Sequence, residues 1–90
     1  REKEILASRV PNLSDSLSAE LVRIVGVLRT LDIRKKPSVA ETIDWARTLV
    51  ALGADSSDDL DPTVLRANLG VLLKHQDDIE RASTLLKLDA

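Results

Sequence analysis

Arg34, Lys35 and Lys36 run through Pro37 into Ser38, with Glu41 three residues further on. A serine followed by a glutamate at that spacing is a capping box. The Ser38 hydroxyl accepts from the Glu41 N–H, and the Glu41 carboxylate accepts from the Ser38 N–H. The helix that starts there offers free N–H groups and the positive end of its dipole, both of which favour an anion. With three cations beside them, Arg34, Lys35, Lys36 and Ser38 form a candidate site for a phosphate, or for a carboxylate from a neighbouring chain. The competing reading is a solvated basic loop.

Other residue types that carry chemistry lack the necessary company. Gly26, Gly53 and Gly70 are isolated and none precedes lysine, so the chain has no phosphate-binding loop and cannot bind and hydrolyse a nucleotide unaided. His75 is the only histidine and there is no cysteine, with Asp77 and Asp78 alone nearby, so it reads as a solvated helix-surface residue and no metal site is expected. Asp55, Asp58, Asp59 and Asp61 lack the glycine and final glutamate of a calcium loop and read as a solubilising segment. Asn12-Leu13-Ser14 fits a glycosylation pattern too short to carry weight. No residue is assigned a catalytic role.

Helices must position these groups. A short helix is expected over residues 1–9, ended by Val10-Pro11 because the residue before proline avoids the helical region. Ser14 or Ser16 then caps a second helix, whose stripe of Leu17, Leu21, Ile24, Val25, Leu28 and Leu31 follows a 3.6-residue period. Gly26 interrupts it, and close packing against another helix is the expected reason. The third helix runs from Val39 to about Leu52. Val39, Ile43, Ala46 and Val50 line one face and Thr42, Trp45, Leu49 and Leu52 an adjoining one, so this helix should be largely buried. Gly53 ends it in the left-handed conformation. Asp61-Pro62 starts a further helical pattern, which residues 62–88 fill as one bent helix or two. Leu28, Ile43, Trp45, Leu49 and Leu72 are the expected core.

No segment alternates as a half-buried strand would, so the class is all-α, a four- or five-helix bundle forming one domain over residues 1–90. Hydrophobic residues make up 43%, yet Trp45 is the sole aromatic, so aliphatic side chains must fill the interior. A formal net charge of -2 supplies no long-range positive field, which disfavours nucleic acid as a partner. No apolar run is long enough to span a bilayer. Arg1 begins the chain and methionine is absent, so the sequence is expected to be a piece of a longer protein.

The stretch "LRTLDIRKKPSVAETIDWARTLVALG", followed by "LDPTVLRANLGVLLKHQDD", resembles the C-terminal helical lid of MoxR-type AAA+ ATPases. In that family a short basic segment, Pro-Ser, a Glu-Thr pair and Asp-Trp-Ala-Arg recur in this order. The likeness extends over roughly residues 1–80, including "REKEIL" and "RVPNLS". It implies a lid that covers a nucleotide held by an α/β core outside this sequence, touches the next subunit of a ring, hexameric in such machines, and moves as a unit during hydrolysis. It further implies ATP and Mg in the parent ATPase, a bacterial chaperone-like role in the cytoplasm, and partners carrying a von Willebrand factor A domain. One position departs from the pattern. MoxR relatives with Ser-Pro-Arg place an arginine two residues after the serine, pointing at the γ-phosphate, where this chain has Ala40. Either Arg34, Lys35 or Lys36 takes over that contact, or the contact is missing. The alternatives are a helix-turn-helix DNA-binding domain, which "PSVAETI" superficially resembles, and a free-standing helical adaptor.

Overall fold

Five α-helices account for the architecture: α1 (Glu2–Arg9), α2 (Asp15–Arg29), α3 (Val39–Ala51), α4 (Pro62–Leu72) and α5 (Gln76–Leu85), with a 3-10 turn at Ser57–Asp59. The structure is a computed structural model that describes residues 2–87. Arg1 and Leu88, at the outer limits of the first and last expected segments, lie outside the described residues. No strand occurs among the described residues, and the radius of gyration of 12.1 Å equals the ~12 Å of a compact chain of this length.

Helices α2, α3 and α4 begin where a side chain satisfies a free N–H group. Ser14 rather than Ser16 caps α2, its hydroxyl accepting from Leu17 N–H at 3.1 Å, and Ser16 instead accepts from Ser57 N–H at 3.1 Å, tying the 3-10 turn to α2. Asp61 caps α4 through Val64 N–H at 2.9 Å, with Pro62 in the first helical position, where its missing N–H removes no bond. Helix α3 ends in a full Schellman arrangement. Gly53 stands at φ 96°, its N–H donates to Val50 and the Ala54 N–H donates to Leu49, both at 3.0 Å. Between α1 and α2, Asn12 takes φ 71° in a turn closed by Leu13 N–H on the Val10 carbonyl, a conformation asparagine tolerates better than most residues.

The core lies where α1, α2, α3 and α4 meet, around Leu6, Leu21, Leu28, Trp45, Leu49 and Leu69, all withdrawn from solvent. Leu72 joins it from α4, and Ile43 packs against its edge half-buried. Several expectations need correction. Val39 and Leu52 are 40% and 64% exposed, so α3 buries the Thr42–Trp45–Ala46–Leu49 strip while its two ends project beyond the neighbouring helices. Gly26 is exposed and a Cβ there would meet nothing within 4 Å, so helix packing does not demand it. Leu31 falls outside α2, which ends at Arg29. Residues 62–85 form two helices, broken at Leu73, Lys74 and His75. Leu73 and His75 are extended, which lets both Leu72 and Leu73 reach the core. His75 therefore occupies the N-cap position of α5, exposed, rather than a helix surface.

Candidate functional site

The connection from α2 to α3 carries the candidate residues, and its path is fixed from below. Ile33 and Pro37 are buried and anchor the two sides of the turn. Arg29, at the end of α2, donates from Nε to the Pro37 carbonyl at 3.0 Å while its guanidinium nitrogens hold both carboxylate oxygens of Glu2. That bidentate pair, backed by a contact with Thr42, holds the Glu2 carboxyl below its ordinary pKa against the opposing effect of burial. Thus α1, α2 and the start of α3 are joined through one side chain.

The turn itself is clamped from α5. Asp78, 3% exposed, accepts from the backbone N–H of Arg34 at 2.9 Å and of Lys35 at 3.2 Å. Removal from water raises the Asp78 pKa, but the two N–H donors and the nearby charges of His75 and Arg34 more than reverse this, so the carboxyl lies below its ordinary value. Asp78 is thereby ionised at neutral pH, and it holds the backbone from the far end of the sequence.

Above that backbone the charges are largely balanced. Arg34 Nη2 meets Asp77 Oδ2 at 3.2 Å. Lys35 Nζ lies 3.2 Å from both oxygens of Glu41, and Lys74 Nζ, from the α4–α5 connection, approaches Glu41 at 3.4 Å. Glu41 also accepts from Ser38 N–H at 2.9 Å, while Ser38 Oγ accepts from Glu41 N–H at 3.1 Å, so the capping box read from the sequence is present in both directions. The Ser38 N–H, followed by Lys35, carries the Glu41 pKa down to about 2 against its burial. Lys36 is exposed and has no ion-pair partner among the described residues.

Arg34, Lys35, Lys36 and Ser38 are therefore together in space as well as in sequence. Three acids share the site: Glu41, Asp77 and Asp78. Glu41 was legible as a cap but not as the partner of two lysines. The role of Asp77 and Asp78 had no distinguishing signal, because acids in a first helical turn are generic. Chemically, the site offers one unpaired ammonium on Lys36, three paired cations that are each at least half exposed, Arg34, Lys35 and Lys74, and the first-turn N–H groups of Val39 and Ala40, which have no intrahelical acceptor. Among the described residues no cluster of acids and histidine has metal-binding geometry, and no helix is long and apolar enough to cross a membrane. Comparison with protein-family models, curated proteins and solved structures gave no match.

Proposed function

We propose that this chain is the helical lid of a MoxR-type AAA+ ATPase, closing over a nucleotide bound by an α/β core and contacting the neighbouring subunit of a ring. The observation that supports this reading is how the residues of the resemblance are used. Pro37 is buried at the turn, Ser38 and Glu41 close the capping box, Thr42 is buried with its hydroxyl on the Ser38 carbonyl at 2.9 Å, and Trp45 and Ala46 fill the core. Consecutive members of the pattern thus perform connected structural tasks, as the members of a fold-defining pattern would. The parent ATPase would supply ATP, Mg and the catalytic groups, and this segment would bring charge and a moving surface. Arg34 and Lys35 already hold carboxylates, so Lys36 is the residue placed to meet a phosphate in the role that Ala40 leaves open.

The helix-turn-helix alternative fits less well. An acidic connection, not a short turn, follows α3, and the next helix, α4, carries Arg66 as its one charged side chain. The lid proposal is tested in the longer reading frame that encodes this segment. A phosphate-loop lysine and a strand-ending acidic pair should lie upstream, and their absence would end the proposal. In that full chain, Lys36→Ala should lower ATP turnover about tenfold or more, as loss of a charge contact to the transferring phosphate does, with unchanged thermal stability. Unaltered kinetics would remove Lys36 from the nucleotide while leaving the lid assignment to be judged on the upstream sequence.

A further inference from the structure

Leu52 is the most exposed large apolar side chain among the described residues, at 64%. It lines a groove of about 460 Å³ between the end of α3 and α4, together with the buried Leu49 and with Val64, Ala67 and Asn68. Asn68 turns its amide back onto the Val64 carbonyl at 2.8 Å, and the one charged residue lining the groove among the described residues is Asp59. The charge around this apolar groove has a single sign. From Thr48 to Leu65 the chain carries four acids, Asp55, Asp58, Asp59 and Asp61, and no base, while all 13 bases lie elsewhere. Asp32, Asp44 and Glu80, which also hold no cation among the described residues, differ in having an arginine within three positions. Asp59 accepts from the N–H groups of Asp55 and Ser56 at 2.7 and 3.1 Å, and Asp61 from Val64 N–H at 2.9 Å. Those donors are neutral, so the four charges stand uncancelled. The flanking bases are used elsewhere: Arg47 reaches the Arg9 carbonyl on α1 at 3.3 Å, and Arg66 is already engaged. Helix α2, tied to the 3-10 turn through Ser16 and Ser57, brings only Asp15, which Lys3 offsets at 2.8 Å.

We infer that this groove docks a cationic amphipathic helix of another protein, its apolar face packing on Leu49, Leu52 and Val64 while its flanking Lys and Arg side chains meet the acidic connection. A trough between two helices suits a third helix laid along it, with apolar anchors three and four residues apart, and the unbroken acidic rim selects a basic partner and speeds its encounter. Nucleic acid and anionic membrane surfaces are repelled by the same four charges. This chain does not itself supply the matching surface. Its other two exposed large apolar side chains stand beside mixed charge, Val39 with Glu4 and Arg9 and Leu85 with Asp77, Glu80 and Arg81, so a second copy is a poor occupant and a different polypeptide is required. The inference uses none of the basic-turn residues, so it stands or falls separately from the lid reading.

The test is titration of the isotope-labelled 90-residue chain with three synthetic peptides of about 15 residues, followed by amide shifts: leucine and lysine at amphipathic helical spacing, the same pattern with glutamate for lysine, and a lysine-rich peptide of equal charge without leucine. The Leu/Lys peptide should bind with shifts confined to residues 49–68, more weakly as salt is added, and at least about tenfold tighter than the peptide without leucine, while the Leu/Glu peptide should not bind up to about 1 mM. Leu52→Asp, at a site too exposed to disturb folding, should weaken binding of the Leu/Lys peptide about tenfold even though it adds a negative charge, the opposite of what a purely electrostatic attraction would give. Asp55→Asn/Asp58→Asn, which spares both capping acids, should also weaken binding and flatten its salt dependence. Equal binding of the two lysine peptides would overturn the inference. So would binding undiminished by Leu52→Asp, or shifts centred on the groove between α1 and α3.

Discussion

Glu41→Gln separates the charge of Glu41 from its shape. Glutamine also serves at this position of a capping box, so the variant keeps an acceptor for the Ser38 N–H and loses only the ionised form. With a folded pKa of about 2 against 4.5 unfolded, the ionised carboxylate stabilises the fold at neutral pH by at most about 3 kcal/mol. Lys35 and Lys74 are about half exposed, at 51% and 52%, and their share is screened by solvent. A charged cap contributes about 1 kcal/mol and two screened lysines a few tenths to 1 kcal/mol each, so about 2 kcal/mol is the expected loss.

Urea unfolding is the suitable assay, because guanidinium would itself screen the lysines. The sign of the pH effect is fixed by the direction of the shift. A carboxyl whose folded pKa is depressed stabilises fully above its unfolded value of 4.5, and this stabilisation fades as pH falls through 4.5 toward about 2. The gap between wild type and Glu41→Gln should therefore close on acidification. Glu2 and Asp78, whose pKa values are also depressed, titrate in both proteins and cancel in the difference. A gap under about 0.5 kcal/mol at neutral pH, or one that persists in acid, would refute the assignment of Glu41 as the charged centre of the turn.

Trp45→Ala should destabilise by about 3–5 kcal/mol in the same assay, since the indole is fully buried at the centre of an otherwise aliphatic core. Gly26→Ala and Gly53→Ala should move stability in opposite directions. The first gains about 1 kcal/mol, because an open helical position loses only backbone freedom, and the second loses about 1 kcal/mol, because φ 96° disfavours any Cβ.

What the sequence disclosed depended on how local the cause was. Ser38 with Glu41, Asp61 with Pro62, and Gly53 act over three or four residues, and each is where it was expected to act. Trp45, Leu28, Leu49 and Leu72 were identified as core by periodicity, which reports the face a helix buries. Periodicity does not report how far the neighbours extend along that face, and so Val39 and Leu52 were placed inside although both ends of α3 overhang. The break at Leu73–His75 carries no glycine or proline, and the apolar spacing continues across it from Leu72 and Leu73 to Ile79. The clamp by Asp78 joins residues 44 and 43 positions apart, beyond the range of any local rule.

That clamp bears on what the basic turn is able to do. Asp78 is buried and bonds to backbone, so displacing it would strand two N–H groups, and the shape of the turn is resistant to change. The pairs of Arg34 with Asp77 and of Lys35 with Glu41 are between side chains, and each includes a cation at least half exposed. Such pairs are worth roughly 0–1 kcal/mol, so losing either of them would leave the fold intact. Backbone geometry is thus held by one acid while the cations stay free to change partners. In the proposed lid role, this division would spare a bound anion the cost of ordering the turn, because the fold has already ordered it.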